Sequence, residues 1–278
     1  MPEENFIYYD DIVWCTRCKR AGWRIAANAD AIAWHKGGAK LNPTTFGTYY
    51  ITRNKTVFFM SNADMNQNED DYDSVTERII REIHEGIFVC AHFGMENVAR
   101  TRFEAFWDAL NGIRGKAPDT SIRERENVKE RFDTLLKGKK RLLIKMNGLE
   151  ENTRRILEDI QRLEKELDTS YDVEIVDEKG GGVILGHAIG VRPVSNHYDI
   201  VFYVCLHIYS VRPDEIPNGD EILIDGWTNM IITDDDRKII GSLEDSYHTF
   251  KLCFYDRVAE SVRRLTAEEK QRYGDRDI

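Results

Sequence analysis

The chain has 278 residues, 41% apolar and 10% aromatic, which is enough for one large or two modest domains with buried cores. Its net charge of −10 is unevenly placed: residues 1–118 carry 14 basic and 16 acidic side chains, 119–170 carry 13 and 12, and 171–278 carry 12 and 21. The acidic C-terminal third repels nucleic acid and favours basic protein partners, and with no run of roughly 18 apolar residues the sequence predicts no membrane helix.

In chain order, residues 5–14 (NFIYYDDIVW) read as a strand or short hairpin, followed by a small-residue stretch from Ala21 to Trp34. Residues 48–60 (TYYITRNKTVFFM) read as a β-hairpin turning at Arg53-Asn54-Lys55, and the polar stretch 61–73 as an exposed loop. A helix is expected from Asp73-Ser74 to about Glu85, stopped by Gly86. A short strand at Ile87–His92 and a second helix over Glu96–Gly112 complete a mixed α/β N-terminal domain, 1–118, that ends near Gly115–Pro118. The first residues, MPEENFIYYDD, lack the basic-then-apolar pattern of a signal peptide.

The segment 119–170 carries the longest regular pattern. Alternating steps of four and three land on Val128, Phe132, Leu135, Lys139, Leu142, Met146, Leu149, Thr153, Ile156, Ile160, Leu163 and Leu167, and ten of these twelve are apolar. A 3.5-residue period sustained this far predicts a coiled-coil seam. The register continues through Gly138 and Asn147-Gly148, which favours one long helix over a helical hairpin. The competing reading is an internal core stripe, because Leu136, Leu143 and Leu157 widen it. The expected function is accordingly non-catalytic: a structural or adaptor protein forming a homo-oligomer and meeting protein partners through Phe132, Leu135, Leu142, Met146, Leu149, Ile156, Ile160 and Leu163.

Residues 171–278 break into short apolar runs separated by Gly, Pro, Asn and Asp: VEIVDE, GGVILGHAI, DIVFYVCLHIYSV, DEILIDGW, NMIITD and HTFKLCFY. They are read as an acidic β-rich domain, an antiparallel meander closed by a helix near Asp256–Thr266. The fold class expected for the whole is α+β.

Five cysteines are too few for a disulfide scaffold and suit a reducing, cytoplasmic compartment. Cys15-x-x-Cys18 fits half a zinc knuckle, with Cys90 and His92 as the best second pair of ligands for a zinc ion. Trp14-Cys-x-x-Cys-Lys19 also resembles the thioredoxin motif, which would make Cys15 the nucleophile of a thiol oxidoreductase and Cys18 its resolving thiol. Two ordinary reduced thiols are the plain alternative. Asp172, Asp177 and Lys179 resemble the acid-then-(D/E)xK pattern of metal-dependent nucleases, although Gly180–Gly182 suggests a turn there. His187 and His207 would face each other, with Cys205 beside them, if a hairpin turned near His197. Lys137, Lys139, Lys140, Arg141 and Lys145 would form a phosphate-facing strip on a helix, but a solvated face explains them as well and nucleic acid is not the expected partner. Asp234-Asp235-Asp236 reads as an acidic turn.

Overall fold

The computed structural model describes residues 3–26, 28, 30, 32, 44–65, 72–126, 134–146, 148–177, 183–184, 186–190, 192–195, 197–205, 221–226, 228 and 230–273. The chain is mixed α/β and divides into two compact units, 1–126 with 245–278 and 127–244. Among the described residues no helix is long and apolar enough to cross a membrane.

The first unit is built from α1 (Asp10–Arg20), α2 (Phe46–Ser61), α3 (Tyr72–His92), α4 (Glu96–Leu110) and most of α6 (Asp234–Tyr273). The expected strands do not form: residues 10–14 lie in α1, 48–60 in α2 and 87–92 in α3. The residues buried on α2 explain the difference. Tyr49, Thr52, Arg53, Thr56 and Met60 are buried at helical spacing, but three of the five are polar. The inward face therefore carries little apolar signal, and the aromatic and β-branched content suggested a strand instead. Asn54 Nδ2 donates to the carbonyls of Asn5, Ile7 and Tyr8 at 2.9, 2.8 and 3.0 Å. These bonds fasten a segment in which Phe6, Tyr8 and Tyr9 take left-handed φ values near 60°, a conformation bulky side chains adopt only when their surroundings impose it.

Gly86 does not stop α3. An interior glycine costs a helix about 1 kcal/mol relative to alanine, and here the guanidinium of Arg102 packs over it, where a Cβ would meet Nη1 at 3.1 Å. The core joins Val75, Ile79, Ile80 and Ile83 of α3 to Phe106 and Leu110 of α4 and to Tyr247, Val258 and Val262 of α6. The run HTFKLCFY, expected as a strand, lies in α6; the rings of Phe250 and Phe254 meet there, tilted, with centroids 4.6 Å apart.

In the second unit β1 (Arg141–Lys145) leads through α5 (Glu150–Glu166) to β2 (Asp172–Val176), followed by β3 (Val183–Ile184), β4 (His187–Gly190), β5 (Ile200–Cys205), β6 (Glu221–Asp225) and β7 (Ile231–Ile232). The sheet order is β3-β4-β2-β1-β5-β6-β7. Neighbours from β4 to β6 pair parallel, and among the described residues only the two edge strands run antiparallel. This is an open parallel sheet, not an antiparallel meander.

The strand β1 overturns the single long helix. Leu142, Leu143 and Ile144 are all buried, as a central parallel strand covered on both faces requires. Leu142, Ile144 and Met146 join Ile156, Ile160 and Leu163 of α5 in one core with Ile175, Phe202 and Ile224. Leu135 and Leu149 pack against it, and Phe132 lies outside the described residues. The heptad positions Leu142, Met146, Ile156, Ile160 and Leu163 thus fill this unit's own interior, whereas Leu167 is half exposed. A step of four is an even number, so Leu142 and Met146 share a face of a strand as readily as a face of a helix, and the register passed through β1 unbroken.

Candidate functional site

A parallel sheet whose chain order reverses direction opens a crevice at the carboxyl ends of its strands. Here the chain steps outward from β1 through β2 to β4, then returns to β5 on the other side of β1 and continues to β6. The reversal lies between β1 and β5.

The groups at this edge come from five strand ends, those of β1, β2, β4, β5 and β6. After β1 the chain turns at Gly148, whose φ of +80° favours glycine. Its amide donates to Asp177 Oδ1 at 2.7 Å. Asp177 follows β2, is 4% exposed, and gives its own amide to the carbonyl of Gly190 at the end of β4. On the other side Asp225, fully buried at the end of β6, accepts from the amide and hydroxyl of Thr228 at 2.9 and 3.0 Å. Asn152, in the first turn of α5, donates to the carbonyl of Gly226, whose amide bonds Cys205 at 2.9 Å. Asn152 therefore reaches over from the β1 side to the β6 side of the reversal. The result is two carboxylates, one exposed glycine backbone and one buried thiol at one edge of the sheet, held in separate hydrogen-bonded groups. The segments 178–182 and 206–220, which follow β2 and β5, lie outside the described residues.

No family model, no curated protein and no solved structure matches the chain.

Cys205 is not built as a nucleophile. Burial, and after it the charge of Asp225, pushes its thiol up from 9.0 to about 12, and Sγ donates to the carbonyl of Ile224 at 3.2 Å. The thiolate is the reactive form. Native protein treated with iodoacetamide at pH 8 should therefore be alkylated at exposed Cys253 and spared at Cys205, as read by peptide mass mapping. The same shift has a stability consequence. Between about pH 9 and 12 the unfolded chain loses this proton while the folded chain keeps it, so its contribution declines through that window as pH rises.

The other expected sites are dispersed. Cys15 and Cys18 stand one turn apart in the middle of α1, and Cys15 is the sixth residue of that helix, not its first. Cys90 and His92 belong to α3. Among the described residues no group of three or more His, Cys, Asp or Glu side chains comes together to hold a metal. Asp172 is exposed at the start of β2 while Asp177 is buried beyond its end, about 16 Å apart at 3.3 Å per residue; Lys179 lies outside the described residues. The hairpin expected near His197 does not form. His187 is in β4 and Cys205 in β5, with β2 and β1 between them, and His207 lies outside the described residues. Lys137 to Arg141 cluster at the amino end of β1, where the amides of Lys140 and Arg141 both donate to Asp199, whereas Lys145 is at the opposite end of the strand. Asp234–Asp236 opens α6: Asp236 Oδ2 accepts from the amide and hydroxyl of Thr233, and Thr233 Oγ1 accepts from the amide of Asp236, a reciprocal cap.

Asp177, Gly148 and Asp225 were the residues sequence reasoning undervalued. An apolar run, Leu142–Ile144, bounded by Gly138 and Asn147-Gly148 was the available signal for a buried strand followed by a turn.

Proposed function

We propose that residues 127–244 bind an uncharged, hydroxyl-rich small molecule of the nucleoside type over the carboxyl ends of β1, β2, β5 and β6. The observation that carries this reading is the reversal of chain order beside β1, with an aspartate at the strand end on either side. The support is architectural: open parallel sheets receive ligands at such a reversal, and an acidic residue after the second strand suits ribose hydroxyls. The chemistry at the edge selects against a phosphate. Only one glycine marks the first turn, Glu150 and Glu151 occupy the start of α5, and Asp177 and Asp225 add negative charge. Carboxylates accept hydrogen bonds from hydroxyls and repel phosphoryl oxygens.

Differential scanning fluorimetry with adenosine tests this. Adenosine should raise the melting temperature, AMP should do so less, and Asp177→Asn should weaken adenosine binding about tenfold, the scale of one hydrogen bond to a charged group. Equal stabilisation by adenosine in wild type and Asp177→Asn, or no shift with adenosine at millimolar concentration, would overturn the reading.

A further inference from the structure

A cavity lies wholly within the helical unit. It has a volume of about 810 Å³ and is walled by the N-terminal segment, α1, α2, Arg114 and the last turns of α6, a size within the range of small-molecule sites. Its charged groups are unequally partnered. Arg17 donates to Glu4 and Glu269 at 2.6 Å each, and Arg264 donates to Glu268 at 2.8 Å. All three carboxylates facing the cavity therefore have an arginine. Arg114 and Arg272, which also line it, hydrogen-bond to no carboxylate among the described residues, although Arg114 feels the charges of Glu4 and Glu268 and Arg272 acts on Glu4.

Two further donors stand behind this imbalance. Asn5 lines the cavity, is 4% exposed, and its Nδ2 has no hydrogen-bond partner. Arg53, fully buried, donates through Nη2 to the Asn5 carbonyl at 3.2 Å and through Nε to Asn54 Oδ1 at 3.0 Å, while its Nη1 has no partner. It faces the rings of Tyr49 and Tyr50 at 5.3 and 5.2 Å and hydrogen-bonds to no carboxylate among the described residues; its charge acts on the Tyr49 hydroxyl, which donates to Asp108. Buried donors without acceptors, here Asn5 Nδ2 and Arg53 Nη1, are uncommon in native proteins. Burial, and after it the charges of Arg53 and Arg264, lower the Arg114 guanidinium to about 10 against the opposing pull of Glu4 and Glu268. On the outer wall Trp14 and Trp23 line the same cavity with 51% and 72% of their surfaces exposed.

We propose that this cavity binds an aromatic phosphate, with the phosphoryl group taken by Arg114, Arg272 and Asn5 Nδ2 and the planar ring received by Trp14 and Trp23. The three glutamates take their hydrogen bonds from Arg17 and Arg264, which leaves the donors of Arg114, Arg272 and Asn5 Nδ2 without a hydrogen-bonded carboxylate. A guanidinium matches phosphoryl oxygens in geometry as well as charge, and an exposed indole gives a ring a face to stack on.

Isothermal titration calorimetry of the full chain with phenyl phosphate, inorganic phosphate and phenol separates the two halves of the site. Phenyl phosphate should bind once per chain, more tightly than either fragment, with loss of tryptophan emission. Arg114→Gln should weaken phenyl phosphate at least tenfold while leaving the circular dichroism spectrum unchanged, and Arg272→Gln gives a second reading should Arg114→Gln fail to fold. Trp14→Ala should weaken phenyl phosphate and leave inorganic phosphate unaffected. Absence of binding by phenyl phosphate at millimolar concentration overturns the proposal, as does affinity that neither arginine variant changes.

Discussion

Leu142→Asp is expected to unfold residues 127–244 before it changes the number of chains per particle. Leu142 is fully buried in β1, paired in register with Val173 on one side and Ile200 on the other, within the core that α5 covers. A carboxylate there has neither water nor a partner, and the cost of burying it exceeds what a domain of this size holds in reserve. The milder Leu142→Ala should cost about 2–5 kcal/mol, the usual range for a leucine removed from a packed core. Urea titrations followed by circular dichroism give the stability, and light scattering at each denaturant concentration gives the particle mass. A seam between chains would behave in the opposite way: mass would fall while the spectrum stayed folded, and that outcome would contradict the internal packing of β1 and α5.

The elements that were legible in the sequence share a property. Residues 96–110 and the later part of α6 carry apolar side chains at helical spacing on the face that is buried, so period and burial agree. β2, β5 and β6 announce themselves as short apolar runs between turn residues. Where the reading failed, the buried face was polar, as with Thr52, Arg53 and Thr56 on α2, or two periods coincided, as at Leu142 and Met146. Strand direction was not legible at all. The runs after residue 170 fit an antiparallel meander and a parallel sheet equally well one strand at a time. Pairing of β1 with both β2 and β5 depends on contacts distant in sequence. The candidate sites follow the same logic. Asp177 was noticed as part of a local acidic pattern, but its neighbours in space are Gly148 and Gly190, which no spacing rule joins to it. Asn5, Arg53 and Arg114 lie far apart in the chain and meet only through the fold.

The second large effect concerns the anchor of α1. Arg20 is 3% exposed and forks onto Asp64, with Nη1 and Nη2 at 2.9 and 2.6 Å from the two carboxylate oxygens. Asn62 Oδ1 takes Nε and Nη2 at 3.3 and 3.2 Å, and Lys270 approaches Asp64 at 3.6 Å. The two side chains of the pair are 4% and 8% exposed, so solvent screens them little. Asp64→Ala leaves the guanidinium buried with one neutral acceptor and should lower stability by about 3–5 kcal/mol, the cost of breaking a buried pair from one side. Replacing both residues, Arg20→Leu with Asp64→Leu, removes the stranded charge together with the attraction and should recover most of that loss, because buried pairs exchange for apolar groups at little net cost. Guanidinium denaturation of the two variants and the wild type measures both. A loss below about 1 kcal/mol for Asp64→Ala would be the behaviour of a solvent-exposed bridge, which would contradict the burial of Arg20 and loosen the wall of the Trp14 cavity that α1 provides.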